Sequence, residues 1–324
     1  FLEAGGSELL AKCLKEHPER LELTTQYSAI KGCDVVVITI GTPVDEHLNP
    51  NFGVIEACMG DLRPHLRSGH TLLLRSTLFP GSSARVISSL RAAGLSGVGV
   101  SFCPERIAQG EAMSELLELP QIISGSDSAA LEHAKALFRP LGVDLVELEL
   151  QEAEAAKLFL NAWRYVEFGT ANQFYHIAGS KGLDFERIRS AIVSRYPGAA
   201  GFPRSGFTAG PCLFKDTMQL AAYCRHTFSL GHAAMLVNET MPDVVVELAR
   251  RELAKSGQGL AGAKCGVLGM AFKPNNDDVR ESLAFKLRRV LLAEGAEVLC
   301  CDVYIRRDGF VSVGELLERC ELLF

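Results

Sequence analysis

Residues 34–43 read Asp34-Val35-Val36-Val37-Ile38-Thr39-Ile40-Gly41-Thr42-Pro43, an unbroken β-branched run closed by a turn. A run with no polar alternation predicts a strand buried on both faces of a parallel sheet. Outward from it, the chain alternates. Helical spacing covers about 54–66, a strand follows at 71–75, and a helix at 82–93. Further strands are expected over 97–102, 121–124 and 143–147, with a helix over 129–138. Strands separated by helical crossovers specify a doubly wound α/β, Rossmann-like domain, placed at 1–148.

Beyond it the texture changes. Residues 149–179 carry no turn signal except Gly169 and predict one long helix. Its apolar neighbourhood, AAKLFLNAW, suggests burial nearly all round. Shorter helices are expected over 185–194 and 214–225, with a Gly- and Pro-rich loop over 196–211. A second long helix is expected over 228–256, kinked at Pro242. Together these define a central helical domain at 149–256. The linker GQGLAG at 257–262 opens a second Rossmann-like α/β domain at 257–324. Its strands fall at 264–268 and 297–301, its helices at 281–294 and 313–321.

A net charge of −6 argues against a general nucleic-acid binder, which needs a positive footprint for phosphate. Neither a long uncharged apolar run nor a signal peptide is visible, so no membrane association is expected. Ten cysteines are dispersed without C-x-x-C or histidine pairing. That pattern suits a reduced, cytoplasmic protein with no bound metal.

Four motifs carry chemistry. Cys212, in AGPCLFKD (209–216), follows a Gly-rich loop and precedes a helix. The positive helix end and Lys215 would both favour thiolate, making it a candidate nucleophile toward a carbonyl. An arbitrary cysteine is a buried hydrophobe, and Cys224, Cys265 and Cys300 keep that reading. Lys157 and Asn161, four residues apart, share one helix face and could donate to a developing oxyanion. Lys157 could instead snorkel, or pair with Glu154. Glu105 in CPER (103–106), Thr42-Pro43 and Ser76-Thr77 all follow strands, where ligands of open α/β sheets bind. Turns also favour such residues. Lys273 and Arg280 flank the helix start in GMAFKPNNDDVRES (269–282), a place for phosphate or for a solvated capped loop.

Six segments in order, VVVITIGTP (35–43), RSTLFPGS (75–82), FCPERIAQG (102–110), EAAKLFLNAW (154–163), GFTAGPCLFKDT (206–217) and GMAFKPNNDDVRES (269–282), resemble the UDP-glucose/GDP-mannose dehydrogenase family. The resemblance spans nearly the whole chain. It implies a four-electron oxidation of a nucleotide-sugar C6 alcohol by two NAD molecules in succession, through a thiohemiacetal and a thioester on Cys212. It also implies that Lys157 and Asn161 stabilise oxyanions, that Asp216 and Thr77 hold or activate water, and that Glu105 assists acid–base steps. Thr42, Pro43, Thr77 and Glu105 would face NAD, and Arg280 would reach it. Lys273 would contact the nucleotide sugar. The loop with Phe202, Phe207 and Gly210 would lie over it. The long helix would form the core of a homodimer.

The family's Gly-rich dinucleotide loop and its ribose-binding acid are not in this chain. It therefore reads as beginning after the first two strands of its NAD-binding domain and ending inside its last domain. Pro211 stands where relatives often carry Ser or His, and Gln109 where some carry Glu, which leaves the sugar open. A UDP-sugar, glucose or an N-acetylhexosamine, is expected over GDP-mannose. Two other readings compete. A β-hydroxyacid dehydrogenase also joins a Rossmann domain to a Lys-x-x-x-Asn helix, but it needs no thiol and no second α/β unit. A nucleotide-sugar binder without its cofactor domain would be no enzyme.

Overall fold

The structure, a computed structural model, describes residues 3–42, 44, 45 and 51–324, so Pro43 lies outside the described residues. The described chain divides into two compact units, 3–160 with 218–226, and 161–217 with 227–324.

The first unit runs α1 (Gly6–Glu16), β1 (Val35–Ile38), α2 (Gly53–Leu62), β2 (Thr71–Leu74), α3 (Ser82–Ala92), β3 (Gly99–Phe102), α4 (Ala112–Glu118), β4 (Gln121–Ile123), α5 (Ser128–Phe138) and β5 (Leu145–Glu147). Parallel pairing gives the order β1-β2-β3, with Ile38 opposite Leu74 and Leu74 opposite Phe102, and a parallel pair β4-β5. Serine hydroxyls join the two groups. Ser124 Oγ accepts from Phe102 N at 3.2 Å and donates to its carbonyl at 2.7 Å, while Ser126 N donates to Val100 O at 2.7 Å. These bonds satisfy buried backbone groups where the regular ladder lapses.

The central strands are dry: Leu72, Leu73, Val100 and Phe102 show 0% exposure. Burial on both faces therefore belongs to β2 and β3. Among the described residues β1 pairs with β2, and Val37 is 44% exposed. Helices α1 and α4 were not foreseen. No residue of α1 is buried, although Leu9, Leu10, Cys13 and Leu14 follow helical spacing.

Two long elements serve both units: α6 (Leu150–Ser180) and α8 (Leu213–Tyr223), with α7 (Phe185–Val193) between them. At 31 residues α6 is about 46 Å long. It is not buried all round. Ala153, Leu158, Asn161, Tyr165 and Asn172 lie on the covered side, whereas Phe159, Trp163, Phe174 and Ile177 are exposed by 47 to 62%. Gly169 is a packing notch, since a Cβ there would lie 3.0 Å from that of Ala234.

Next come α9 (Ser229–Glu239) and α10 (Met241–Ala254). The expected kinked helix is two helices, with Thr240 between them at ψ −1°. Pro242 lacks an N–H and its ring crowds the carbonyl four residues back, so the chain starts a new helix with proline in its first turn.

The chain then forms β6 (Lys264–Leu268), α11 (Leu283–Ala293), β7 (Glu297–Cys301), α12 (Val313–Arg319) and β8 (Leu322–Leu323). Strand order is β7-β6-β8, all parallel. Helix α11 starts two residues later than expected because Ser282 caps it, its hydroxyl accepting from Ala284 N. No helix among the described residues is long and apolar enough to cross a membrane, and none of their His, Cys, Asp and Glu groups is set to hold a metal.

Candidate functional site

In the second unit, the loop between α7 and α8 is tied down residue by residue. Arg189 of α7 donates to the carbonyls of Phe202 and Pro203 at 2.9 to 3.2 Å. The Phe202 ring packs edge-on against Phe174 and Phe185, and Phe207 packs against the core around β6. The buried amide of Asn172 grips both backbone groups of Gly206, accepting its N–H at 2.8 Å and donating to its carbonyl at 2.9 Å. Asn238 orients that amide, accepting from it at 2.9 Å.

The loop ends at the thiol. Gly210 has φ +100°, and a Cβ there would sit 2.5 Å from the Phe272 ring, so only glycine fits. Its N–H donates to Glu281 O at 3.3 Å. Cys212 is exposed and opens α8, its carbonyl accepting from Asp216 N at 2.9 Å. Asp216, fully buried, accepts from Asn161 Nδ2 at 2.5 Å and lies 3.0 Å from Lys215 Nζ. Lys215 is therefore committed to its neighbour. Burial pushes the Cys103 thiol up to about 11, and the thiols of Cys265 and Cys300 also rise because they are buried. Such thiols are inert at neutral pH.

The 270–282 loop holds Lys273 partly exposed and Arg280 exposed at the surface. Arg280 is gripped by buried Asp278 through Nε at 3.0 Å and Nη2 at 2.6 Å. Beside the thiol loop lies a cavity of about 320 Å³, walled by Ala209, Gly210 and Phe214 and by Lys286, Arg289 and Arg307. Glu239 also faces it. Burial raises the Glu239 carboxyl, Lys286 opposes that rise, and Glu281 adds to it.

In the first unit the parallel strands bring their carboxyl ends to one edge. Thr42 Oγ1 donates to Thr77 O at 2.6 Å, and Ser76 Oγ to Ile40 O at 2.6 Å. Arg75 donates to Cys103 O at 3.2 Å, Glu105 Oε2 at 2.5 Å and Gln121 Oε1 at 3.0 Å. The other Glu105 oxygen accepts from Arg106 N and Ile107 N at 2.7 and 2.8 Å. Glu105 thus anchors its loop through both side-chain oxygens, an arrangement that suits positioning. Lys157 and Asn161 are both buried, at 9% and 3% exposure, on α6. Glu154, weighed as a partner for Lys157, instead accepts from Gly81 N, Ser83 N and Ser83 Oγ at 2.6 to 2.8 Å at the start of α3.

Arg75, Asp278, Asn172 and Arg189 escaped the sequence reading. Arg75 and Asp278 sit inside quoted motifs, and their charge was the available signal. Nothing local marks Asn172 or Arg189.

Comparison with known proteins decides the family. Residues 1–142 match the NAD binding domain of the UDP-glucose/GDP-mannose dehydrogenase family, 151–240 its central domain and 266–318 its UDP binding domain. The chain belongs to this family. Its cofactor is NAD. The described residues fit that cofactor by the hydroxyls and backbone groups of Thr42 and Thr77 at the carboxyl edge of a parallel sheet. UDP-N-acetyl-D-mannosamine dehydrogenase of Methanocaldococcus jannaschii is 28% identical over 293 residues, 89% of this chain and 66% of that protein. UDP-glucose 6-dehydrogenase of Haloferax volcanii is 27% identical over 88% of this chain and 69% of its own length. This chain thus spans about two thirds of these family members. Among solved structures, the UDP-D-ManNAc dehydrogenase of Pyrococcus horikoshii superposes with a TM-score of 0.90 at 25% identity, over all of this chain and 77% of that one. The UDP-glucose dehydrogenase of Pyrobaculum islandicum gives 0.86 at 26% identity, over 99% and 78%.

Proposed function

We propose that the protein is an NAD-dependent nucleotide-sugar 6-dehydrogenase that oxidises the C6 alcohol of a UDP-sugar to the uronate. The observation that carries this is Cys212, an exposed thiol at a helix start whose flanking Asp216 is fixed by Asn161. Relatives named for UDP-N-acetyl-D-mannosamine and for UDP-glucose support a UDP-sugar. NAD, when bound, accepts a hydride in each of two successive oxidations. Between them Cys212 forms an S–C bond to the sugar aldehyde, and the thioester that follows is cleaved by water to carboxylate and thiol.

Lys157 and Asn161 donate to the oxyanions, for which their burial on α6 suits them, since a dry donor acts more strongly. Asp216 orients Asn161 and, with Thr77, holds the water. Glu105 serves by positioning its loop, with Thr42 and Thr77 toward the cofactor. Lys273 and Gly210 meet the nucleotide sugar, with Phe202 and Phe207 anchoring the loop above it, and Arg280 reaches NAD. The reduced thiols fit a cytoplasmic enzyme.

The test is a panel of UDP-sugars given to the full-length enzyme with NAD. Two NADH per sugar are expected, with steady-state turnover falling at least about 1,000-fold in Cys212→Ser. One NADH per sugar with turnover kept by Cys212→Ser would instead identify a two-electron dehydrogenase. No NADH with any nucleotide sugar would leave a binding protein.

The exposed Phe159, Trp163, Phe174 and Ile177 support a homodimer through α6, because contiguous apolar surface of this kind is ordinarily covered. Sedimentation should show a dimer that Trp163→Glu weakens at least tenfold. A wild-type monomer would refute it.

A further inference from the structure

We infer that Arg280, locked by Asp278, is the cation that holds the Cys212 sulfur as a thiolate. The inference rests on the reading of Cys212 as nucleophile and adds to it the group that tunes the thiol.

Sequence proximity favours Lys215 for this task, three residues along α8. Its ammonium lies on a flexible stem 3.0 Å from buried Asp216, without the two-point grip that fixes a guanidinium. The loop joined to the thiol segment offers another cation. Asp278 organises that loop: its carbonyl accepts from Phe272 N at 3.1 Å, and its N–H donates to buried Asn276 Oδ1 at 2.6 Å. Its carboxylate takes the Arg280 N–H at 3.0 Å and the guanidinium through both Nε and Nη2. A planar fork gripped at two nitrogens keeps its orientation even though the Arg280 side chain is 54% exposed.

Two features seat this loop against the thiol segment. Gly210 N bonds Glu281 O at 3.3 Å, one residue beyond Arg280 and two before Cys212. The missing side chain of Gly210 lets the Phe272 ring close over the same turn. Glu281 takes the left-handed conformation, φ +53°, that a non-glycine residue adopts only under constraint from its surroundings.

The electrostatics agree with that geometry. Arg280 holds its proton more firmly than usual, first through its bonds to Asp278 and lastly through the charge of the Cys212 thiolate. Two charges act on each other reciprocally, so the same guanidinium favours ionisation of the thiol. The Gly210–Glu281 bond brings the charged residues Asp278, Arg280 and Glu281 of the loop beside the segment that carries Cys212, Lys215 and Asp216. Arg280 is 54% exposed and held in one orientation by Asp278. Ionisation breaks the S–H bond, and the proton passes to solvent.

The test reads the thiol directly, in the whole protein without substrate. Iodoacetamide alkylation of Cys212 is followed against pH by peptide mass spectrometry. Arg280→Gln is expected to raise the midpoint by about 0.5 to 1 pH unit, slowing alkylation at pH 7 by about 3- to 10-fold. Arg280→Lys keeps the charge without the fork and is expected between the two. Lys215→Gln is expected to move the midpoint less than Arg280→Gln. Continued protection of buried Cys103, Cys265 and Cys300 from alkylation reports an intact fold. An unmoved midpoint in Arg280→Gln, a Lys variant no different from it, or a larger shift in Lys215→Gln would each overturn the inference. Loss of the nucleophile reading would show separately, as turnover that survives Cys212→Ser.

Discussion

The two α/β parts of the molecule each place an arginine–carboxylate pair at a strand end, with opposite sides facing water. At the end of β2, Arg75 is 10% exposed and its partner Glu105 37% exposed. After β6, the carboxylate of Asp278 is 1% exposed and the guanidinium of Arg280 54% exposed. One pair presents a carboxylate to its edge, the other a guanidinium cation to its surface. The same two functional groups therefore do different work. The buried partner organises backbone, Arg75 through Cys103 O and Gln121, Asp278 through Phe272 and Arg280 N–H. The more exposed partners differ: Glu105 also holds backbone, accepting from Arg106 N and Ile107 N, whereas the Arg280 guanidinium is 54% exposed.

If that division holds, removing a buried partner costs stability, while removing an exposed one changes chemistry. The largest effect is expected for Asp278→Ala and Arg75→Met. Arg75→Met strips the buried cation from its acceptors, at about 3 to 5 kcal/mol, and Asp278→Ala removes the carboxylate's bonds to Arg280, at about 1 to 3 kcal/mol. Denaturant unfolding measures this, and a loss under 1 kcal/mol in both would dissolve the distinction. The smallest effect is expected for Glu105→Gln, whose one amide oxygen still accepts from Arg106 N and Ile107 N while the charge-assisted bond to Arg75 is lost at a partly exposed side chain. A loss below about 1 kcal/mol is expected in the same unfolding experiment. A drop as large as that of Arg75→Met would show that the carboxylate, and not the arginine, holds the edge together.

Most elements were readable because their causes are local. The β-branched run at 35–38, the helical spacing of α3 and the proline in α10 act over a few residues, and each appears within two or three residues of its expected place. Errors came where burial depends on distant chain. Within this chain Val37 of β1 is exposed, and so are Phe159 and Trp163 of the apolar AAKLFLNAW segment, on the face for which a second copy is proposed above. Neither outcome could follow from hydrophobicity alone, because composition records what could be covered and not what covers it. Site residues behaved alike. Cys212 was marked by its loop and helix, whereas the grip of Asn172 on Gly206 joins residues 34 apart and left no local trace.

From the sequence alone came the alternation of strands and helices, the proposal of Cys212 as nucleophile and the family motifs, since periodicity, turn chemistry and helix starts are properties of neighbouring residues. The tertiary structure decided which charge answers which. Glu154 went to the start of α3 and not to Lys157, Asp216 took Asn161 from 55 residues away, and Glu105 took Arg75 from 30. An ion pair is chosen by distance and dielectric in the folded chain, and neither exists until the chain has closed on itself.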